Sequence, residues 1–221
     1  MDLTSQKVGV LGSGMVGRVL ASAFLSEGAS VMLSARSADK QELRDWQSKN
    51  TQGLIGSFAN AAAFADIIVL AVQGEHAANA LELAGKSNLA GKIVIDATNP
   101  ISHSLPPVNG VLQYFTNANE SLMERLQDQF AEARFVKAFN SVGNAFMYKP
   151  DFGGTKPTMF ICGNDADAKA MVTSILDSFG WEVEDMGMVQ SARPIEALCI
   201  LWCAPGFLRN QWTHAFKLLK K

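Results

Sequence analysis

The run Lys7-Val-Gly-Val-Leu-Gly12-Ser-Gly14-Met-Val-Gly17-Arg18 decides the reading of this chain. Residues 8–11 read as a short buried strand. Gly12 allows the tight turn after it, Gly14 lets a backbone approach a pyrophosphate, and Gly17 lets the next helix pack close on the sheet. That helix, expected over residues 15–26, aims its free N–H groups and positive dipole end at the phosphates. A glycine pattern alone is common. Here it follows a strand and opens a helix in the first βαβ unit, the context that dinucleotide binding requires.

The second strand, expected over residues 29–33, decides which dinucleotide. A carboxylate near its end would accept the ribose hydroxyls of NAD. None stands there. The chain instead reads Ser34-Ala-Arg36-Ser37-Ala-Asp39-Lys40. Ser34, Arg36, Ser37 and Lys40 suit a dianionic 2′-phosphate, with Arg36 giving paired charge-assisted bonds and Lys40 a point charge. NADP(H) is therefore the expected cofactor. Ser37 also fits a plain role as a helix cap. Asp39 comes too late for the ribose and suits the N-terminus of the next helix.

The length of 221 residues fits a single NAD(P)-binding domain over 1–221, with a core over 1–186 and a C-terminal helical segment over 187–221. Apolar residues make up 48% and charged residues 18%, enough for a large core and too ordered a composition for disorder. The formal net charge of −2 gives no reason to expect a nucleic-acid partner. No run is long enough to span a bilayer, and the start carries no apolar signal segment. Cys162, Cys199 and Cys203 lack metal-site spacing and read as buried thiols of a cytoplasmic protein, so no metal is expected. Cys199 and Cys203 stand at helical spacing, which also allows a redox pair.

Strand and helix patterns alternate to the end, giving an α/β fold of Rossmann type: a doubly wound, mostly parallel sheet of about eight strands. Helices are expected over 38–48, 58–65, 75–85, 118–130 and 165–179. Further strands are expected over 52–55, 66–72, 92–97, 134–139, 158–162 and 181–185. Residues 99–117 break the pattern with prolines and an Asn109-Gly110 pair, and read as a long functional loop. Residues 192–219 read as one or two helices, broken or kinked at Pro205-Gly206. The apolar block over 195–204 suggests a homodimer through the C-terminal segment.

In open α/β sheets ligands lie beyond the carboxyl ends of the strands. The first two ends take the adenosine half. Val72 and Gln73, Asn99 and Pro100, and Ala138 with Asn140 are left for the nicotinamide and the second substrate. Asn99 and Asn140 could hold a carboxamide or a carbonyl, or simply cap loops. Among the histidines, only His103 lies in a substrate-facing segment. Lys137 could be catalytic or could face solvent from its strand. No Tyr-xxx-Lys pair, nucleophilic triad or metal cluster occurs. Carbonyl reduction needs a proton donor, whereas hydride transfer between two rings mainly needs them held face to face.

The runs at 8–17, 34–40, 68–72, Asp96-Ala-Thr-Asn-Pro100, Val136-Lys-Ala-Phe-Asn140 and 159–180 carry a resemblance. The chain resembles the NADPH-dependent coenzyme F-420 reductases (F-420H2:NADP oxidoreductases), whose fold also forms the cytoplasmic domain of the STEAP metalloreductases. The resemblance implies that Ser13, Met15 and Val16 line the pyrophosphate. It implies that Arg36, Ser37 and Lys40 hold the 2′-phosphate, and that Val72, Gln73, Asn99 and Ala138 surround the nicotinamide. It also implies an acceptor of deazaflavin or flavin type, coenzyme F-420 or a flavin. The loop over 100–117 and the Trp- and Cys-containing C-terminal segment depart from the family pattern where the acceptor would sit. Two alternatives stand beside this small-molecule hydride acceptor. One is an imine or 2-keto-acid reductase using His103 or Lys137. The other is a non-catalytic NADP-binding or sensing module.

Overall fold

The computed structural model describes residues 3–221. Six strands form one parallel sheet: β1 (Lys7–Leu11), β2 (Ser30–Ala35), β3 (Leu54–Ser57), β4 (Ile67–Leu70), β5 (Ile93–Asp96) and β6 (Arg134–Lys137). Their order is β3-β2-β1-β4-β5-β6, so the winding reverses between β1 and β4. The helices are α1 (Met15–Ser26), α2 (Gln41–Lys49), α3 (Phe58–Phe64), α4 (Ala77–Ala84), α5 (Lys86–Leu89), α6 (Leu122–Gln129), α7 (Ala166–Ser178) and α8 (Ala192–Arg209).

Alternation along the strands divides the core. Val8, Val10, Ile67 and Val69 face α1, α2 and α7, which contribute Leu20, Phe24, Trp46 and Val172. Leu11, Ile68, Leu70 and Val94 face the other way, onto Ala61, Leu81 and Leu126 of α3, α4 and α6. Both faces of the sheet are thus covered, which is why its strands read as unbroken apolar runs.

The fold class is the expected one, and the eight strands divide between two sheets. β7 (Thr158–Ile161) and β8 (Glu182–Asp185) pair in parallel as a separate two-stranded sheet. It meets the main sheet through one antiparallel bridge, where the Lys137 N–H donates to the Cys162 carbonyl at 3.0 Å.

Local chemistry moves several boundaries. α2 starts at Gln41 rather than 38, with Lys40 at its N-cap. Ser37 does not cap it; its Oγ accepts from the Asp39 N–H at 3.3 Å. α6 starts only at Leu122, because Ser121 and Glu124 close a reciprocal capping box there. Such a cap contributes about 1 kcal/mol.

The stretch over 99–117 is more ordered than a loop. Ile101 bridges Tyr114, and Val108 bridges Val111, both antiparallel. Asn109 and Gly110 carry φ of 51° and 81°, the two positive values that a tight hairpin turn requires. Pro205 does not break α8 either. The helix runs on to Arg209 and ends at Asn210, whose φ of 53° is a left-handed cap. Gly206 is needed because the Trp212 ring returns to within 2.3 Å of where a Cβ would stand. Residues 210–221 form no helix; the Phe216 carbonyl accepts from the Thr158 N–H at 2.8 Å, along β7.

Leu201, Phe207 and Leu208 of α8 are exposed, as is Val108 of the hairpin, and Gly110 lies against Leu208. No helix among the described residues is long and apolar enough to cross a membrane.

Candidate functional site

A crevice of about 530 Å³ opens where the strand order reverses. The turn after β1 supplies Gly12, Ser13, Gly14, Met15 and Val16 to its wall. The end of β2 supplies Ala35 and Arg36, with Lys40 beyond them, and the end of β4 supplies Ala71, Val72 and Gln73. Gly12 has a φ of +127°, and a Cβ there would lie 2.3 Å from the Ala71 carbonyl oxygen. A Cβ on Gly17 would lie 1.8 Å from the Gly12 carbonyl oxygen, so α1 can close on the turn only without a side chain. Gly14 differs: a Cβ there would meet nothing within 4 Å. It marks open space in front of the N-terminus of α1.

That N-terminus carries no side-chain cap and no acidic residue in its first turn. α3, α6 and α7 are capped by Ser57, Ser121 and Asp165. The first N–H groups of α1 are thereby left to an anion in the crevice. At the β2 end, Arg36 and Lys40 are exposed, and Asp39 turns to Arg44 at 3.5 Å. Among the described residues, neither Arg36 nor Lys40 forms an ion pair, so both cations are free for a phosphate.

The other end of the crevice rests on a buried charge cluster. Asp96 and Lys137 are register neighbours on β5 and β6. Lys137 is fully buried; its Nζ lies 2.7 Å from Asp96 Oδ2 and 2.9 Å from Glu196 Oε1, and donates to the Thr98 carbonyl at 2.9 Å. Glu196 of α8 also accepts from the Leu122 and Met123 N–H groups at 2.9 and 3.0 Å, at the start of α6. Asp96 Oδ1 accepts from both the N–H and the hydroxyl of Thr98, at 2.9 and 2.6 Å. Burial pulls the Lys137 pKa down, but the two carboxylates outweigh it and hold the ammonium above its ordinary value. This corrects the sequence expectation: Lys137 faces neither solvent nor the crevice. It ties β5, β6, α6 and α8 together behind the strand ends.

The structure brings Gly12, Ser13, Gly14, Met15, Val16, Arg36, Lys40, Val72 and Gln73 together around the crevice. Gly17 packs behind the turn. Ser34 is wholly buried and donates its Oγ to the Val10 carbonyl at 2.7 Å, so it is a sheet hydroxyl and does not line the crevice. Ser37 is exposed, and Pro100 and Ala138 are buried off the crevice wall. Asn99 and Asn140 hold each other: Asn99 Nδ2 donates to the Asn140 carbonyl at 2.8 Å, and Asn140 Nδ2 donates to Asn99 Oδ1 at 3.2 Å. Asn140 Nδ2 also donates to the Ile195 carbonyl at 2.8 Å. His103 is exposed on the hairpin, with its N–H on Glu75 Oε1 at 3.0 Å. Sequence reasoning missed Phe58, His76, Asn79 and Ala80, which also line the crevice. His76 follows the end of β4 beside the reversal point, and that placement was the available signal. Cys162 is buried, which pushes its thiol up to about 12.

A protein from Arthrobacter sp. FB24, described as an F420-dependent NADP-reductase, has the same architecture. It superposes with a TM-score of 0.89 at 32% identity, over 98% of this chain and 100% of that one. Residues 7–100 match the family described as NADP oxidoreductase coenzyme F420-dependent. This chain belongs to that family.

Metalloreductase STEAP3 of Rattus norvegicus is 32% identical to this chain over 198 residues. The match covers 87% of this chain, and the chain spans 36% of the length of that relative. A reductive aminase from Aspergillus terreus, solved with NADPH and ethyl levulinate, shares the fold at a TM-score of 0.64 and 17% identity, over 89% of this chain and 60% of that one. By family the chain is an NADP-dependent oxidoreductase.

The residues present fit NADP(H). The open space at Gly14 and the uncapped α1 suit the pyrophosphate, and the free Arg36 and Lys40 suit the 2′-phosphate. One contrast tests this. Gly14→Ala is expected to keep the melting temperature and to weaken NADPH binding about tenfold, since its methyl group enters the phosphate space. Gly17→Ala is expected to lower the melting temperature itself, because its methyl group meets backbone. Differential scanning fluorimetry with and without NADPH reads both; equal effects at the two positions would contradict the assignment.

Proposed function

We propose that this protein passes hydride between NADP(H) and a deazaflavin or flavin acceptor. The observation that carries the reading is the crevice wall at the ends of β4 and β5. Val72, Gln73 and Ala97 stand there, and none of them can donate or accept a proton in catalysis. Such a wall suits ring-to-ring transfer, where the protein must hold two planes in contact and exclude other chemistry. When bound, NADPH supplies the hydride, and the proton that completes reduction of the acceptor comes from water. Arg36 and Lys40 fix the far end of the cofactor. The Lys137 cluster holds the Thr98 carbonyl, and with it the segment leading to Asn99.

A second reading draws on His76, whose exposed imidazole lines the same crevice and could serve as a proton donor to an imine or 2-keto acid. One assay separates the two. NADPH oxidation at 340 nm is followed with coenzyme F420, FMN, FAD and a panel of keto acids and imines, for the native chain and for His76→Ala. The first reading expects turnover with F420 or a flavin, unchanged in His76→Ala. Turnover confined to keto acids or imines, falling about 100-fold or more in His76→Ala, would establish the second.

A further inference from the structure

Residues 101–117 contain no Asp, Glu, Lys or Arg, and neither do residues 197–208, in a chain where 18% of residues are charged. The fold brings these two stretches together. The Tyr114 hydroxyl donates to the Glu196 carbonyl at 2.6 Å, and a Cβ on Gly110 would lie 2.8 Å from Leu208 Cγ. The second arm of the hairpin therefore runs antiparallel along α8, from its last turn back toward its start.

The surface that the two elements share is apolar. Leu201 and Leu208, two turns apart, stand on one stripe of α8, with Ala204 and Pro205 between them. Val108 and Val111 flank the hairpin turn that meets Leu208. Phe207 and Trp212 extend the face, their rings edge to face with centroids 5.4 Å apart. Together these six large side chains expose about 550 Å², where a stable interface takes about 800 Å² from each partner, roughly 60% of it apolar.

Charge decides what covers the face. Near a two-fold axis a residue meets its own counterpart, so a charge there would confront its like. Self-pairing therefore requires a face without charge. A partner of another sequence could be matched by opposite charge, and an anionic lipid surface calls for free cations. The nearby cations are engaged instead: Lys217 pairs with Glu182, Lys220 with Glu184, and Arg209 Nε donates to Gln211 Oε1 at 3.2 Å.

We propose that this face pairs with the same face of a second copy, giving a two-fold dimer closed by the hairpin and the end of α8. The hairpin follows β5, beginning at Ile101, and the His103 N–H is held by Glu75. The second copy thus braces, from outside, the segment that leaves one strand end of the crevice. Pairing here is independent of which acceptor the crevice serves.

The test is sedimentation velocity of the full chain over about 1–100 μM, for the native protein and for Leu201→Glu, Leu208→Glu and Leu83→Glu. Leu83 is an exposed leucine of α4, outside the face, and serves as the control. The native protein is expected to be a dimer with a Kd of about 1 μM or lower, and Leu83→Glu to match it. Leu201→Glu and Leu208→Glu are each expected to raise the dimer Kd about 100-fold or more, with NADPH binding within twofold of native to show that the variants fold. Amide hydrogen exchange of the native protein supplies a readout without substitution: residues 101–117 and 200–208 are expected to exchange more slowly at high protein concentration. A native protein that stays monomeric throughout would overturn the proposal, as would a dimer that both α8 variants leave intact, which would place the interface elsewhere. Exchange independent of concentration in both segments would also overturn it. So would a monomer that sediments with anionic phosphatidylserine vesicles, which would give the face to a lipid surface.

Discussion

Lys137→Met is expected to destabilise the protein by about 3–5 kcal/mol, the range seen when one partner of a buried ion pair is removed. For a chain of this size that is a fall in melting temperature of about 10 °C. The size follows from what is left behind. Lys137 is fully buried and meets Asp96 at 2.7 Å and Glu196 at 2.9 Å, so its loss leaves two carboxylates facing each other without water. Glu196 would keep the amides at the start of α6, but Asp96 would keep only Thr98. Adding Asp96→Asn to Lys137→Met is therefore expected to recover part of the loss, because it removes one of the stranded charges. Urea unfolding of the two variants measures this; a single variant within 1 kcal/mol of the native protein, a cutoff set well below the expected range, would show that the cluster is not anchored as described. The pH dependence has a definite sign. The folded pKa of Lys137 is raised, so the contribution of its charge is whole below the ordinary lysine value and is lost as pH rises through the folded value. Through neutral pH this group should leave stability flat.

The sequence made the first half of the chain legible and the second half less so, for a physical reason. In β1, β2, β4 and β5 each strand is a short apolar run and each turn has residues with a single backbone use, so local pattern and tertiary position agree. Arg36 and Lys40 could be read because the end of β2 always meets the adenosine half of a bound dinucleotide. Lys137 could not. A four-residue strand leaves its facing open, and the residues that justify burying an ammonium are Asp96 on the next strand and Glu196, fifty-nine positions later. The hairpin was hidden by its prolines, although Asn109-Gly110 is a hairpin signal in its own right. Pro205 misled because its missing N–H falls in the last turns of α8, which still close on Gly206 and Asn210. Asn99 and Asn140 were placed at the right strand ends, but their side chains hold each other, a pairing that no single segment announces.

Arg36→Ala combined with Lys40→Ala is expected to raise the Kd of NADPH about 100-fold and to move that of NADH less than threefold. The two coenzymes differ only in the 2′-phosphate, so the ratio isolates that group. A hydrogen bond to a charged group contributes about 1.5–3 kcal/mol, and 1.4 kcal/mol is a tenfold change in affinity. Both cations line the crevice wall and are exposed, and the nearby acid, Asp39, is drawn off to Arg44. Removing them therefore strands no carboxylate within the protein, and the melting temperature without cofactor should stay where it is. Most of the loss is expected from Arg36, whose planar guanidinium can bond two phosphate oxygens at once, with Lys40 adding a point charge that salt screens more readily. Raising the ionic strength should accordingly weaken NADPH binding to the native protein more than to the double variant. Isothermal titration of both coenzymes against both proteins, at two salt concentrations, measures every term. A parallel loss of NADPH and NADH, or no loss of either, would mean that the end of β2 does not read the phosphate, and that the preference for the phosphorylated coenzyme is set elsewhere in the crevice.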